Sequence, residues 1–126
     1  MKLEDALVAH FAAKVPGLLP GKTLFHSHMP GEVVVGTLIM ARVPIMKDLY
    51  SGMRKGTFQV ICRDLKIALA HDRASAIMKA VESEGVIVGG VNFRFIKPQH
   101  EPLAFPRTDG AQFEASVNYT FAAHWE

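Results

Sequence analysis

Nine residues near the end of the chain, Phe113-Glu114-Ala115-Ser116-Val117-Asn118-Tyr119-Thr120-Phe121, carry an apolar side chain at every odd position and a polar one at every even position. Successive side chains of a β-strand point to opposite faces, so alternation over this length describes a strand with one buried and one wet face. Phe113, Ala115, Val117, Tyr119 and Phe121 are expected to face covering helices. Val91-Asn92-Phe93-Arg94-Phe95 alternates in the same way and predicts an antiparallel neighbour. Between the two, Pro98, Pro102 and Pro106 cannot donate to a central ladder, so that segment is expected along a sheet edge or outside the sheet. Asp109-Gly110 is the turn signal into the last strand.

The rest of the chain supplies two helices and more strands. Leu3, Leu7, Val8, Phe11 and Val15 recur at helical spacing, with Glu4 and Asp5 in the first turn, and Pro16-Gly17 ends that helix. Thr23–Met29 reads as a short strand. Glu32–Met40 reads as a strand covered on both faces, with Gly36 marking a bulge. Thr57–Arg63 reads as a strand with Phe58, Val60 and Cys62 on one face. Ile67, Ala70, Ala74, Ile77, Met78 and Val81 form the stripe of a second helix between Leu65 and Glu84, with Gly85 as its left-handed cap. From 41 to 56 the apolar residues show no period, which predicts a long, mobile loop. Helices and strands in this order predict a single α+β domain over 1–126, a two-layer sandwich of an antiparallel or mixed sheet with two helices on one face.

Few chemistries fit this chain. Fourteen basic and twelve acidic residues leave a net charge of +2, too balanced for a dedicated phosphate-backbone binder. Arg42, Lys47, Arg54 and Lys55 around Tyr50 nevertheless make a basic loop, and a small nucleic-acid-binding module acting through Arg54 and Lys55 is one alternative. His26 and His28 share a strand face at a spacing that metal sites use, with His71-Asp72 and His100-Glu101 as the only further donors in view; a small metal-dependent enzyme is a second alternative. The lone Cys62 lies on an apolar face and reads as a buried hydrophobe. No phosphate-cradling glycine loop and no nucleophile elbow occurs. The first residues turn acidic at once and no apolar run reaches a membrane span, so no secretion leader, no membrane partner, no catalytic residue and no cofactor is expected. A hydrophobic content of 49%, with eight Phe and six Met, fits a chain that buries surface against partners.

The run from His100 to Tyr119, with its prolines, Asp109-Gly110 and the strand Phe113-Glu114-Ala115-Ser116-Val117-Asn118-Tyr119, resembles the C-terminal hairpin of tail-terminator and minor-capsid proteins of long-tailed bacteriophages. Phe58-Gln59-Val60-Ile61-Cys62-Arg63 before an alanine-rich helix is similar to their middle strand. The resemblance implies a homo-hexameric ring that caps the tail tube and offers a surface to the head connector. DNA would pass through the lumen without specific binding, and the protein would reside in the virion, at the head-proximal end of the tail. A head-completion or minor capsid protein of similar fold is the nearest alternative. In such an assembly Arg42, Met46, Lys47, Leu49, Tyr50, Met53, Arg54 and Lys55 are the expected inter-subunit or tail contact. Glu114, Ser116, Asn118 and Thr120 are the candidate lumen or interface face.

Overall fold

The computed structural model describes residues 2–47, 53–106 and 112–125, with only the backbone course for 42–47. The described residues form α1 (Lys2–Lys14), β1 (Leu24–His26), β2 (Gly36–Lys47), β3 (Met53–Asp64), α2 (Ile67–Val81), β4 (Ser83–Val88), β5 (Val91–Pro98), β6 (Leu103–Pro106) and β7 (Phe113–His124). The strands make one mixed sheet in the order β1-β2-β3-β7-β5-β4, with β1 parallel to β2 and the other pairs antiparallel. β7 is therefore central. One of its edges pairs with β3 from Phe113 to His124, and the other is shared end to end by β5 and β6. The proline-flanked β6 lies on an edge, as a segment with so few N–H donors must.

Both helices cover one face of this α+β sheet. Phe11 of α1 stands edge-on to Phe58 of β3 and Tyr119 of β7, and those two rings stack at 4.9 Å. Ala70, Ala74, Ile77 and Val81 of α2 join the same core, beside Val60, Cys62, Ala115, Val117 and Phe121. The odd-numbered residues of β7 thus point inward as alternation requires. Burial pushes the Cys62 thiol up to about 12, so it serves as a small core residue. No described helix is long and apolar enough to cross a membrane.

Four local expectations are corrected. Residues 41–47 and 53–56 are strand, because the β2–β3 ladder continues through Arg42↔Thr57, Met46↔Lys55 and Lys47↔Arg54. The register shift between Arg42 and Met46 brackets Pro44, which has no N–H to give, and it scrambles the alternation that would have marked the strand. Second, Gly36 opens β2 rather than bulging it: a Cβ there would lie 2.9 Å from both Met29 Sδ and Val33 Cγ1. Third, β1 is only Leu24–His26. Fourth, α2 stops at Val81, and Gly85, with φ +66, lies inside β4 instead of capping the helix. The left-handed pair that turns the chain is Gly89-Gly90, with φ +56 and +80, joining β4 to β5 as two-residue hairpins demand.

The end of α2 is held by a buried histidine. His10 of α1 donates from Nε2 to the Val81 carbonyl at 3.1 Å, and Ser83 Oγ donates to the same oxygen at 2.9 Å. Burial lowers the His10 pKa, Lys14 lowers it further, and the Val81 bond opposes the shift in part. The folded protein therefore holds His10 neutral while the unfolded chain binds a proton near the ordinary value of 6.5. Stability is complete above that value, falls as pH drops through it, and levels off below the folded-state pKa. Denaturant titrations from pH 8 to pH 5 are expected to show this loss, and His10→Gln, which keeps a donor but cannot titrate, is expected to flatten it.

Candidate assembly surface

The face of the sheet away from the helices is read from the ladder. Residues directly opposite across strands share a face, so Leu38, Ile61, Ser116 and Leu103 form one row, and Met40, Gln59 and Asn118 the next. Thr57, Thr120 and Lys97 follow, then Lys55, Ala122 and Phe95. The surface is apolar at one end, uncharged and polar in the middle, and basic at the other. Glu114, Ser116, Asn118 and Thr120 all lie on it. Ser116 is buried and the other three half-buried, so this face is not the protomer's own core throughout.

The apolar end is covered by the segment from Ser27 to Val35. Arg63, itself buried, donates from Nε to Glu114 at 3.1 Å and from one terminal nitrogen to the carbonyls of Pro30 and Val33 at 3.0 and 3.1 Å. Met29 within that segment is buried against Gly36. At its start Ser27 adopts φ +67 and donates to Glu4 of α1 at 2.6 Å. A guanidinium holds five N–H donors in a rigid planar fork, which fits it to serve one carboxylate and two carbonyls from fixed directions. Glu114 is thus occupied within its own chain.

The other expected contact residues within the described chain lie on neighbouring rungs of the β2–β3 ladder, where Met46 pairs with Lys55 and Lys47 with Arg54. Arg42, Met46 and Lys47 belong to β2, while Leu49 and Tyr50 lie outside the described residues. Met53 is half-buried at the start of β3. Arg54 donates to the Trp125 carbonyl at 2.6 Å with its guanidinium 4.0 Å above the Trp125 ring, and Lys55 is exposed opposite Ala122.

The histidines are not drawn into a common site. His26 and His28 do line one cleft of about 390 Å³ with Asp5, and His26 lies 3.4 Å from Glu4 and 4.0 Å from Asp5. The further donors foreseen for them are elsewhere: His71 pairs with Asp72 on α2, and His100 Nε2 accepts from the Asn118 N–H at 3.1 Å, extending the β5 edge along β7. Among the described residues no group of three or more His, Cys, Asp or Glu could hold a metal ion.

Exposed apolar residues mark the sheet's margins, which alternation alone does not reveal. Ile87 on the open edge strand β4 is 72% exposed and Leu103 on β6 is 65% exposed, with Phe105 beside it. Leu65, Ile67 and Leu69 are exposed at the start of α2. Open strand edges and clustered exposed apolar side chains are features of chains that assemble.

Neither a scan of protein-family models nor a search of curated proteins finds a match to this chain. Among solved structures, a chain of the virion of a native gene transfer agent particle superimposes with a TM-score of 0.72, at 12% identity over 96% of each chain. At that identity the likeness establishes a shared fold that spans both chains.

Proposed function

We propose that this chain is a structural virion protein, a tail terminator that closes as a ring of six on the tail tube and presents the head-joining surface. The observation that carries the proposal is the end-to-end fold likeness to a chain of a phage-like virion. It agrees with the C-terminal hairpin resemblance drawn from the residues themselves. Open edges at β4 and β6 and apolar side chains left in water at Ile87, Leu103 and Phe105 give such a chain surface to bury on assembly. In this reading the polar sheet face bearing Asn118 and Thr120 lines the lumen or a subunit contact, DNA passes without sequence reading, and the partners are further copies, the tail-tube protein and the head connector. No residue is assigned a catalytic role.

The test is loss of the gene from the particle-forming element that carries it. Electron micrographs are expected to show tail tubes of uncontrolled length and heads without tails. Tails of normal length beside heads that have lost their DNA would instead assign the chain to head completion, and normal particles would remove it from assembly.

A further inference from the structure

The two ends of the sheet carry complementary features. At one end, the groove between the C-terminal end of α1 and α2 has a volume of about 370 Å³, with Val15, Leu18, Leu69, Ala76 and Ile77 as apolar walls and Asp72 among its lining residues. The Asp72 side chain is 80% exposed, 3.8 Å from His71 Nδ1, whereas Asp64 in the same groove is paired internally with Arg73 at 3.0 Å. Leu65 and Ile67 extend the apolar surface beyond it. This is the end at which Asp64 pairs with Phe113.

At the other end, Ile87 projects from the β4–β5 hairpin. Ile87 pairs with Asn92, which pairs with His124, which pairs with Met53. The twelve residues of β3 separate the two ends, a span of about 40 Å at the usual rise per strand residue. Arg94 is exposed beside this tip and is the extra residue where the β5–β7 register shifts between Phe93 and Phe95, a device that re-aims a side chain. The Lys2 ammonium lies beside Gly90 at the turn. The hairpin end is therefore an apolar knob among cations, and the groove end an apolar hole with an exposed carboxylate. Lys14 and Lys66 lie near the groove in sequence, so Asp72 contributes orientation while apolar burial contributes most of the affinity.

We propose that copies of this chain associate head to tail, Ile87 of one copy seating in the α1–α2 groove of the next with Arg94 facing Asp72. Arranged end to end, each protomer gives its knob to one neighbour and its hole to the other, so every contact joins unlike surfaces. Such a contact is heterologous and propagates until rotation closes it into a ring. The inference rests on the self-assembly part of the function proposed above and names the surfaces that perform it.

Disulfide trapping between full-length variants tests it. Ile87→Cys and Leu69→Cys alter exposed positions, and the native Cys62 is fully buried and stays out of the exchange. Under mild oxidation a mixture of the two variants is expected to form a mixed dimer at least about tenfold faster than either variant pairs with itself, because docking raises the effective thiol concentration. Arg94→Asp on the Ile87→Cys chain is expected to slow trapping about tenfold, and Asp72→Arg on the partner chain to restore it. Self-pairing of Ile87→Cys as fast as the mixture would overturn the proposal in favour of two β4 edges meeting symmetrically. A mixture that traps no faster than random collision at the highest soluble concentration would overturn it outright. Mixed trapping alongside normal tails after gene loss would retain this contact and reject the tail role. Overlong tails without mixed trapping would do the reverse.

Discussion

Replacing Phe58 by alanine is expected to cost about 4 kcal/mol, the usual loss for a large aromatic side chain deleted from a tight core. Phe58 is fully buried where three elements meet: it stacks on Tyr119 at 4.9 Å with 2° between the planes, and stands 6.1 Å from both Phe11 and Phe121. Its removal breaks contacts of α1, β3 and β7 at once, and backbone ladders on both sides of β3 keep the cavity from collapsing. Tyr119→Phe is the control. The Tyr119 hydroxyl is buried with no hydrogen-bond partner among the described residues, so its deletion is expected to cost less than about 1 kcal/mol or to stabilise. Urea titrations should show the midpoint falling steeply for Phe58→Ala with an unchanged slope, and barely moving for Tyr119→Phe. A loss below about 1 kcal/mol for Phe58→Ala would show that the aromatic cluster is not the centre of the core.

Arg63→Ala is expected to cost about 3 kcal/mol, because it leaves a mostly buried carboxylate unpaired and two carbonyls without their donor. The Glu114 side chain is only 16% exposed, and the Pro30 and Val33 oxygens receive the other guanidinium bonds. Arg63→Lys should recover little, since an ammonium lacks the planar fork. Adding Glu114→Gln to Arg63→Ala should recover part of the loss by removing the stranded charge, a coupling that the double-mutant cycle measures directly. Hydrogen exchange should locate the damage: amides of the 27–35 segment are expected to open in Arg63→Ala, while those of β7 keep their protection. Equal loosening of β7 would mean that Arg63 supports the whole sheet and not the covering segment.

The extent to which these features can be read from sequence follows from the range of the interactions that create them. β7, β5 and the middle of β3 alternate because one face is covered and one is not, and α1 and α2 show helical spacing for the same reason. The ends of β2 and β3 are different. There the ladder's hydrogen bonds carry the strand through Pro44 and a register shift, and side-chain pattern records neither. The covering segment 27–35 depends on Arg63 and Glu4, 30 and 23 residues from their partners Val33 and Ser27, and no local signal points to it. Gly89-Gly90 was available as a hairpin turn, yet a two-residue doublet between Val88 and Val91 says nothing of which strand β5 joins next. Of the candidate surface, the polar face of β7 is legible from parity alone. The apolar margins at Ile87, Leu103 and Phe105 are not, because a strand is an edge only by virtue of the order β1-β2-β3-β7-β5-β4, which places strands distant in sequence side by side.

An averaged electron-microscopy map of intact particles containing this chain tests the proposed ring on the tail tube. A closed ring of six copies is expected between the head connector and the last tail-tube ring, each copy presenting its α1–α2 groove to the neighbour's β4–β5 hairpin. The chain found elsewhere in the particle, or particles complete without it, would rule out the proposed role.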